Sequence, residues 1–159
     1  MKKQLLLVFL LILMFLVSGC TAPSTVVATA ISPAAPTESP VTESASIEDQ
    51  ADLTASLQAS GATVETGDPV SQPFFIPEGH IIKVNGADVQ VFEYESAEAM
   101  ESEASQVSSD GGSIGTSMVS WMDTPHFYKT GKIIVLYVGG DTTVLELLKG
   151  ILGPQFAGG

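Results

Sequence analysis

Ser113 sits in Gly111-Gly112-Ser113-Ile114-Gly115, which matches the G-x-S-x-G pattern of a serine nucleophile letter for letter, and Asp123 and His126 follow it. In acyl-transfer chemistry the serine hydroxyl would attack a carbonyl, His126 would take its proton and Asp123 would orient the imidazole. That geometry needs a strand before the serine and a helix after it, so that the hydroxyl stands exposed on a strained turn. The surroundings here predict the reverse, a helix before and a strand after, which reduces the pattern to a glycine-rich turn entering a strand. His80 and His126 are the two histidines of the chain. Neither has a second His, a Cys or a carboxylate at the spacing of a recognised metal site, and a shared metal would have to bridge two predicted strand starts. The carboxylates number 18, but no D-x-[DN]-x-[DN]-G run offers a calcium loop, and no glycine-rich phosphate loop occurs. Enzyme chemistry is not favoured on these grounds, and no metal or cofactor is expected. A small hydrolase or metal-dependent enzyme using Ser113 or His126 stays as the alternative.

Residues suited to recognition are more prominent. Phe74 and Phe75 lie in a proline-rich loop, and Trp121, His126, Phe127 and Tyr128 surround Pro125. One reading of these six is packing, because small domains seal the ends of their sheets with aromatic rings. The other is a binding patch, because loops at one end of a rigid sheet are where recognition usually sits, and Trp and Tyr are enriched among residues that dominate binding energy. The two readings differ in exposure.

The elements that must position these residues can be read from local signals. Ser46-Ile47-Glu48-Asp49 resembles a capping box, and Leu53 and Leu57 at i, i+4 predict a helix that stops at Gly61. Ala62 to Glu65 predicts a short strand, followed by a turn-rich loop over 67–79. In "HIIKVNGADVQVFEY" two β-rich runs flank Asn85-Gly86, a strong hairpin signal because both turn positions tolerate positive φ. Val89, Val91 and Glu93 alternate with Gln90, Phe92 and Tyr94, so one of these two faces is core, and alternation alone does not fix which. Ser96 caps a predicted second helix to about Val107, with Ala97, Met100, Ala104 and Val107 on one stripe and Glu98, Glu101 and Glu103 outside. Ser113 to Met122 reads as a strand that Pro125 ends or bends. His126 to Val138 predicts another hairpin, with Thr130-Gly131 at its tip and "KIIVLYV" as the most apolar strand, central in the sheet. Asp141 caps a last helix whose Val144, Leu145, Leu147, Leu148, Ile151 and Leu152 face inward, and Gly153-Pro154 stops it. The expected fold is α+β, in the order αβββαβββα: a two-layer sandwich with an antiparallel sheet of five to six strands covered by helices.

The folded part spans 47–159, and the chain before it has a different composition. Lys2 and Lys3 precede an apolar run of 13 residues, Leu5 to Val17. That length suits a signal-peptide core and falls short of the about 20 residues of a membrane span. Leu16-Val17-Ser18-Gly19 then leads into Cys20, the sole cysteine. This segment resembles the lipobox of bacterial lipoproteins. The resemblance implies cleavage after residue 19 and a thioether-linked diacylglycerol, with palmitate-type chains, on Cys20; two or more acyl chains give stable anchoring where one is marginal. It places the mature protein at the cell membrane, on the extracytoplasmic face.

Residues 20–46 then form a Ser/Thr/Pro/Ala tether, which cannot bury a core. As a coil it would span roughly 30 Å, and about 80 Å if proline-stiffened. With no cysteine after Cys20, an intramolecular disulfide and a dithiol redox role are both excluded. The chain has no arginine and a net charge of −12; without Lys2 and Lys3, four lysines face the same 18 carboxylates, or −14. Such a surface repels nucleic acid and anionic headgroups, which leaves the lipid as the membrane attachment. The stretch "VNGADVQVFEY" and the tail "PHFYKTGKIIVLYVGG…LLKGILGPQFA" are similar to small bacterial lipoproteins with a short tether and an α+β domain. That resemblance implies a compartment and an architecture, and no activity. The expected function is a non-enzymatic module that binds a protein or small molecule, or an envelope accessory. A spacer without a specific ligand is the further alternative.

Overall fold

Each of the three helices among the described residues begins where a short acidic or hydroxyl side chain accepts a backbone N–H of the first turn, as helix starts require. A computed structural model describes residues 46–159, so the leader, Cys20 and the tether expected over 20–46 fall outside the described residues apart from Ser46. Ser96 accepts from Ala99 N and starts the second helix, and Asp141 accepts from Thr143 N and Val144 N and starts the third, both as predicted. The first helix is capped by Asp49 instead of Ser46. Asp49 Oδ1 accepts from Asp52 N at 3.0 Å while Asp52 Oδ2 accepts from Glu48 N at 3.1 Å, so the box is built three residues later than its sequence signal.

In chain order the elements are α1 (Gln50–Ala59), β1 (Val64–Val70), β2 (Gly79–Val84), β3 (Ala87–Glu93), α2 (Ala97–Ala104), β4 (Ser113–Ile114), β5 (Ser117–Met118), β6 (Pro125–Thr130), β7 (Ile133–Val138), α3 (Thr142–Leu152) and β8 (Ala157–Gly158). Six strands form an antiparallel sheet in the order β1-β2-β3-β7-β6-β8, and β4 pairs with β5 in a separate two-stranded sheet, with Ile114 also bridged to Val107. The class is therefore α+β with an antiparallel sheet. At the β2–β3 turn Asn85 and Gly86 have φ of 52° and 87°, the pair of positive values that a two-residue hairpin twisting with its strands demands. Strand β7 is central, paired to β3 on one side and β6 on the other.

Several expectations need correction. The strand predicted at 62–65 runs from Val64 to Val70, with a register shift between Thr66 and Pro69. It is an edge strand, where a proline without an N–H is tolerated. The strand predicted over 113–122 is instead a two-stranded hairpin turning at Gly115, whose φ is 57°. Helix α2 stops at Ala104, short of Val107.

The sheet is also buried on both faces. Ile82, Val84, Val89, Val91, Ile133 and Val135 pack with Leu53 and Leu57 of α1 and with Val144 and Leu148 of α3. The alternate residues Phe92, Ile134 and Leu136 pack with Met100 and Ala104 of α2, with Ile114 and with Phe75. Helices thus lie on both sides, where the sequence suggested two layers. The reason is legible in "KIIVLYV", which has no polar alternation because neither side meets water. Glu103 departs for the same reason. It was expected on the solvated face of α2, but it is 9% exposed and accepts from Ile76 N at 3.2 Å.

Candidate functional site

The two loops singled out by their aromatic residues do meet. Phe74 and Phe75 pack edge to face with ring centroids 5.1 Å apart, and Phe75 reaches Phe127 at 6.5 Å. Phe127 meets Trp121 at 5.8 Å, and Trp121 returns to Phe74 at 5.8 Å. Four rings therefore close a circuit, each contact near-perpendicular, the arrangement in which the positive edge of one ring meets the negative face of the next. Phe75 also rests on Phe92 at 4.8 Å, and Phe127 on Phe156 at 6.1 Å, which ties the circuit to the sheet. Phe75 and Phe127 are buried, while Phe74 and Trp121 are half-buried at the rim.

This packing accounts for the glycine-rich turn. Trp121 Nε1–H donates to the Gly111 carbonyl at 2.7 Å, and a Cβ at Gly111 would stand 3.0 Å from the Phe127 ring. Gly111 also has φ of 68°. The residue that lends "GGSIG" its likeness to a nucleophile motif is there so that two aromatic rings can close over the turn. Ser113 N donates to the Ser108 hydroxyl, and Asp123 accepts from Thr124 N. Among the described residues, neither Ser113 nor Asp123 hydrogen-bonds to His126.

His126 and Tyr128 belong elsewhere. Alternation along β6 turns them to the face opposite Phe127, where His126 stacks on Tyr137 at 6.1 Å. His126 Nδ1 meets Gln155 Oε1 at 2.7 Å, so Nδ1 carries the proton in that bond, and Gln155 Nε2 donates to the Gly158 carbonyl at 2.7 Å. The histidine thus holds the C-terminal segment against β6. Beside it is a recess of about 280 Å³ lined by His126, Tyr128, Leu145, Glu146, Lys149 and Gln155. Burial raises the Tyr128 phenol pKa above its ordinary value. His80 is exposed on β2, three inter-strand spacings from β6, roughly 14 Å, so the two histidines share no metal. Among the described residues no group of three or more His, Cys, Asp or Glu is placed to hold a metal ion.

The six candidates therefore split into a rim pair, Phe74 and Trp121, a buried pair, Phe75 and Phe127, and a pair on the other face, His126 and Tyr128. Sequence reasoning missed the apolar residues that are exposed. Ile76 is 87% exposed and Met122 103%, each one residue beyond a packed aromatic, and Met118 on β5 is 92% exposed. The signal available was their position: an apolar residue directly after a loop anchor points away from what the anchor packs on. No protein-family model, curated protein sequence or solved structure matches the chain.

Proposed function

We propose that this protein is a lipid-anchored extracytoplasmic binding module, attached through Cys20 and recognising an envelope partner through the loops that carry Phe74 to Ile76 and Trp121 to Met122. The observation that supports it is the pairing of a rigid aromatic circuit with solvent-facing Ile76 and Met122 on the same two loops. A loop pair fixed before binding loses little entropy when a partner arrives, and exposed apolar side chains gain by being covered. Among the described residues no helix is long and apolar enough to cross a membrane, so on this reading the anchor is the acyl group.

The anchor and the surface are tested separately. Radiolabelled fatty acid should be incorporated into the full chain and lost in Cys20→Ala; label that persists would refute the lipid assignment. For the surface, a photo-crosslinking amino acid at Met122 should give a discrete adduct in intact cells, weakened by Ile76→Ser, whereas the same probe at Thr143 should not. Equal adducts at both positions, or none at Met122, would reject the loop surface.

A further inference from the structure

We infer that the recess between β6 and α3 is a binding site for a small zwitterion, an α-amino acid with an apolar side chain. It lies on the sheet face opposite Phe127, so it is separate from the loop surface proposed above and does not depend on it. The floor of the recess is a pair of buried polar side chains, His126 at 8% and Tyr128 at 2% exposed. They stand two residues apart on one face of β6, roughly 7 Å from root to root. Gln155 sets the histidine's tautomer. Its Nε2 is committed to the Gly158 carbonyl, so its Oε1 accepts from His126 Nδ1–H, and Nε2 of the neutral ring is left as an acceptor. Burial alone raises the Tyr128 pKa, so at neutral pH its hydroxyl is an O–H donor. Among the described residues the Tyr94 hydroxyl is the one side-chain polar atom that is both sealed from the surface and without a partner. The Tyr128 oxygen and His126 Nε2, which also have no protein partner, therefore open to accessible surface, and the recess is the surface that both residues line. Two such groups converging on one recess call for an explanation that packing does not supply.

The rim carries one charge of each sign. Glu146 and Lys149 are exposed at i and i+3 of α3, about 5–6 Å apart at Cβ. Among the described residues Lys83, Lys129 and Lys132 are each ion-paired, whereas neither Lys149 nor Glu146 is. Leu145 and Pro154 complete the lining with apolar surface. The volume is about 280 Å³, just below the ~300 Å³ at which drug-sized sites begin, so the guest is small. An α-amino acid matches this lining group by group. Its carboxylate accepts from the Tyr128 O–H and faces Lys149, its ammonium donates to His126 Nε2 and faces Glu146, and its side chain lies on Leu145 and Pro154. A simple anion would bring no donor for His126 Nε2 and would face Glu146. An alkylammonium would bring no acceptor for the Tyr128 O–H and would face Lys149.

Calorimetry of the full chain in neutral detergent, against a detergent blank, compares L-leucine with 4-methylpentanoate, which lacks the ammonium, and 3-methylbutylammonium, which lacks the carboxylate. Leucine should bind saturably at one site per chain, and each analogue at least about tenfold more weakly. Lys149→Met and Glu146→Gln change exposed side chains that have no ion pair among the described residues; each should leave the fold intact and weaken leucine by several-fold. Tyr128→Phe removes only the hydroxyl. It should weaken leucine by several-fold and leave the melting temperature undiminished, because that hydroxyl has no protein partner to lose. A purely structural tyrosine would give the opposite pattern, a lowered melting temperature with unchanged affinity. That pattern, absence of saturable leucine binding up to about 10 mM, equal binding of the three probes, or full affinity retained in both Lys149→Met and Glu146→Gln would each overturn the proposal.

Discussion

Trp121 acts through both of its chemistries, the ring in the aromatic circuit and the indole N–H on the Gly111 carbonyl. Trp121→Phe keeps a ring and forfeits the hydrogen bond, so it should cost about 1 kcal/mol, while Phe127→Ala opens a buried cavity and should cost about 3–5 kcal/mol. Urea unfolding followed by circular dichroism measures both, and a Phe127→Ala loss under 1 kcal/mol would show that the circuit is not part of the core. The phenols provide a pH test. Tyr94 and Tyr128 have raised pKa values in the folded protein, so the unfolded chain ionises first. Their contribution to stability is complete below about pH 10 and is lost as pH rises beyond it. Phenolate absorbance from these residues should therefore appear together with loss of secondary structure; full tyrosine ionisation in a still-folded protein would contradict it. At this scale the sequence showed which residue types mattered but not their exposure. Phe74 and Phe75 are adjacent and alike, yet one is at the rim and the other in the core, because only the fold decides which neighbour points at Phe92.

Local chemistry explains which elements were legible. The Asn85-Gly86 turn, the Ser96 and Asp141 caps and the apolar β7 strand each depend on neighbours within a few residues, so their signals survive in the sequence. Asp141→Ala should cost about 1 kcal/mol in thermal or chemical unfolding, with α3 still formed because Val144 and Leu148 hold it to the sheet. What could not be read depends on distant partners. Strand β8 is two residues long and exists because His126 and Phe127 offer it an edge. Glu103 stands at i+3 from Met100, on the flank of the inward stripe, and the Ile76 N–H that donates to it comes from a segment 27 residues away, so its burial depends on a distant partner. Lys129 contacts both carboxylate oxygens of Glu101 at 2.6 and 2.7 Å and lies over the Phe156 ring at 5.0 Å, so α2 is fastened to β6 by a contact 28 residues apart in sequence.

Across the whole molecule the deficit of positive charge dominates. Four lysines lie among the described residues, and Lys83, Lys129 and Lys132 are each within 2.9 Å of a carboxylate. These pairs are partly solvated and individually contribute little. The remaining carboxylates repel one another, so raising sodium chloride to about 0.5 M should raise the melting temperature of the domain through screening. A fall in melting temperature would mean that the ion pairs outweigh the repulsion. The way the chain enters the fold has a mechanical consequence. Ile47 and Glu48 accept hydrogen bonds from Thr130 Oγ1 at 3.2 Å and Lys132 N at 2.9 Å, and a Cβ at Gly131 would meet the Glu48 backbone at 2.5 Å. Gly131→Ala should therefore loosen this junction and lower the melting temperature. The N-terminal segment is clasped to the tip of the hairpin that contains the central strand, and not to an edge. Traction applied at Ser46 is delivered to β6 and β7 together, so the domain is gripped from the middle of its sheet and resists being peeled open one strand at a time.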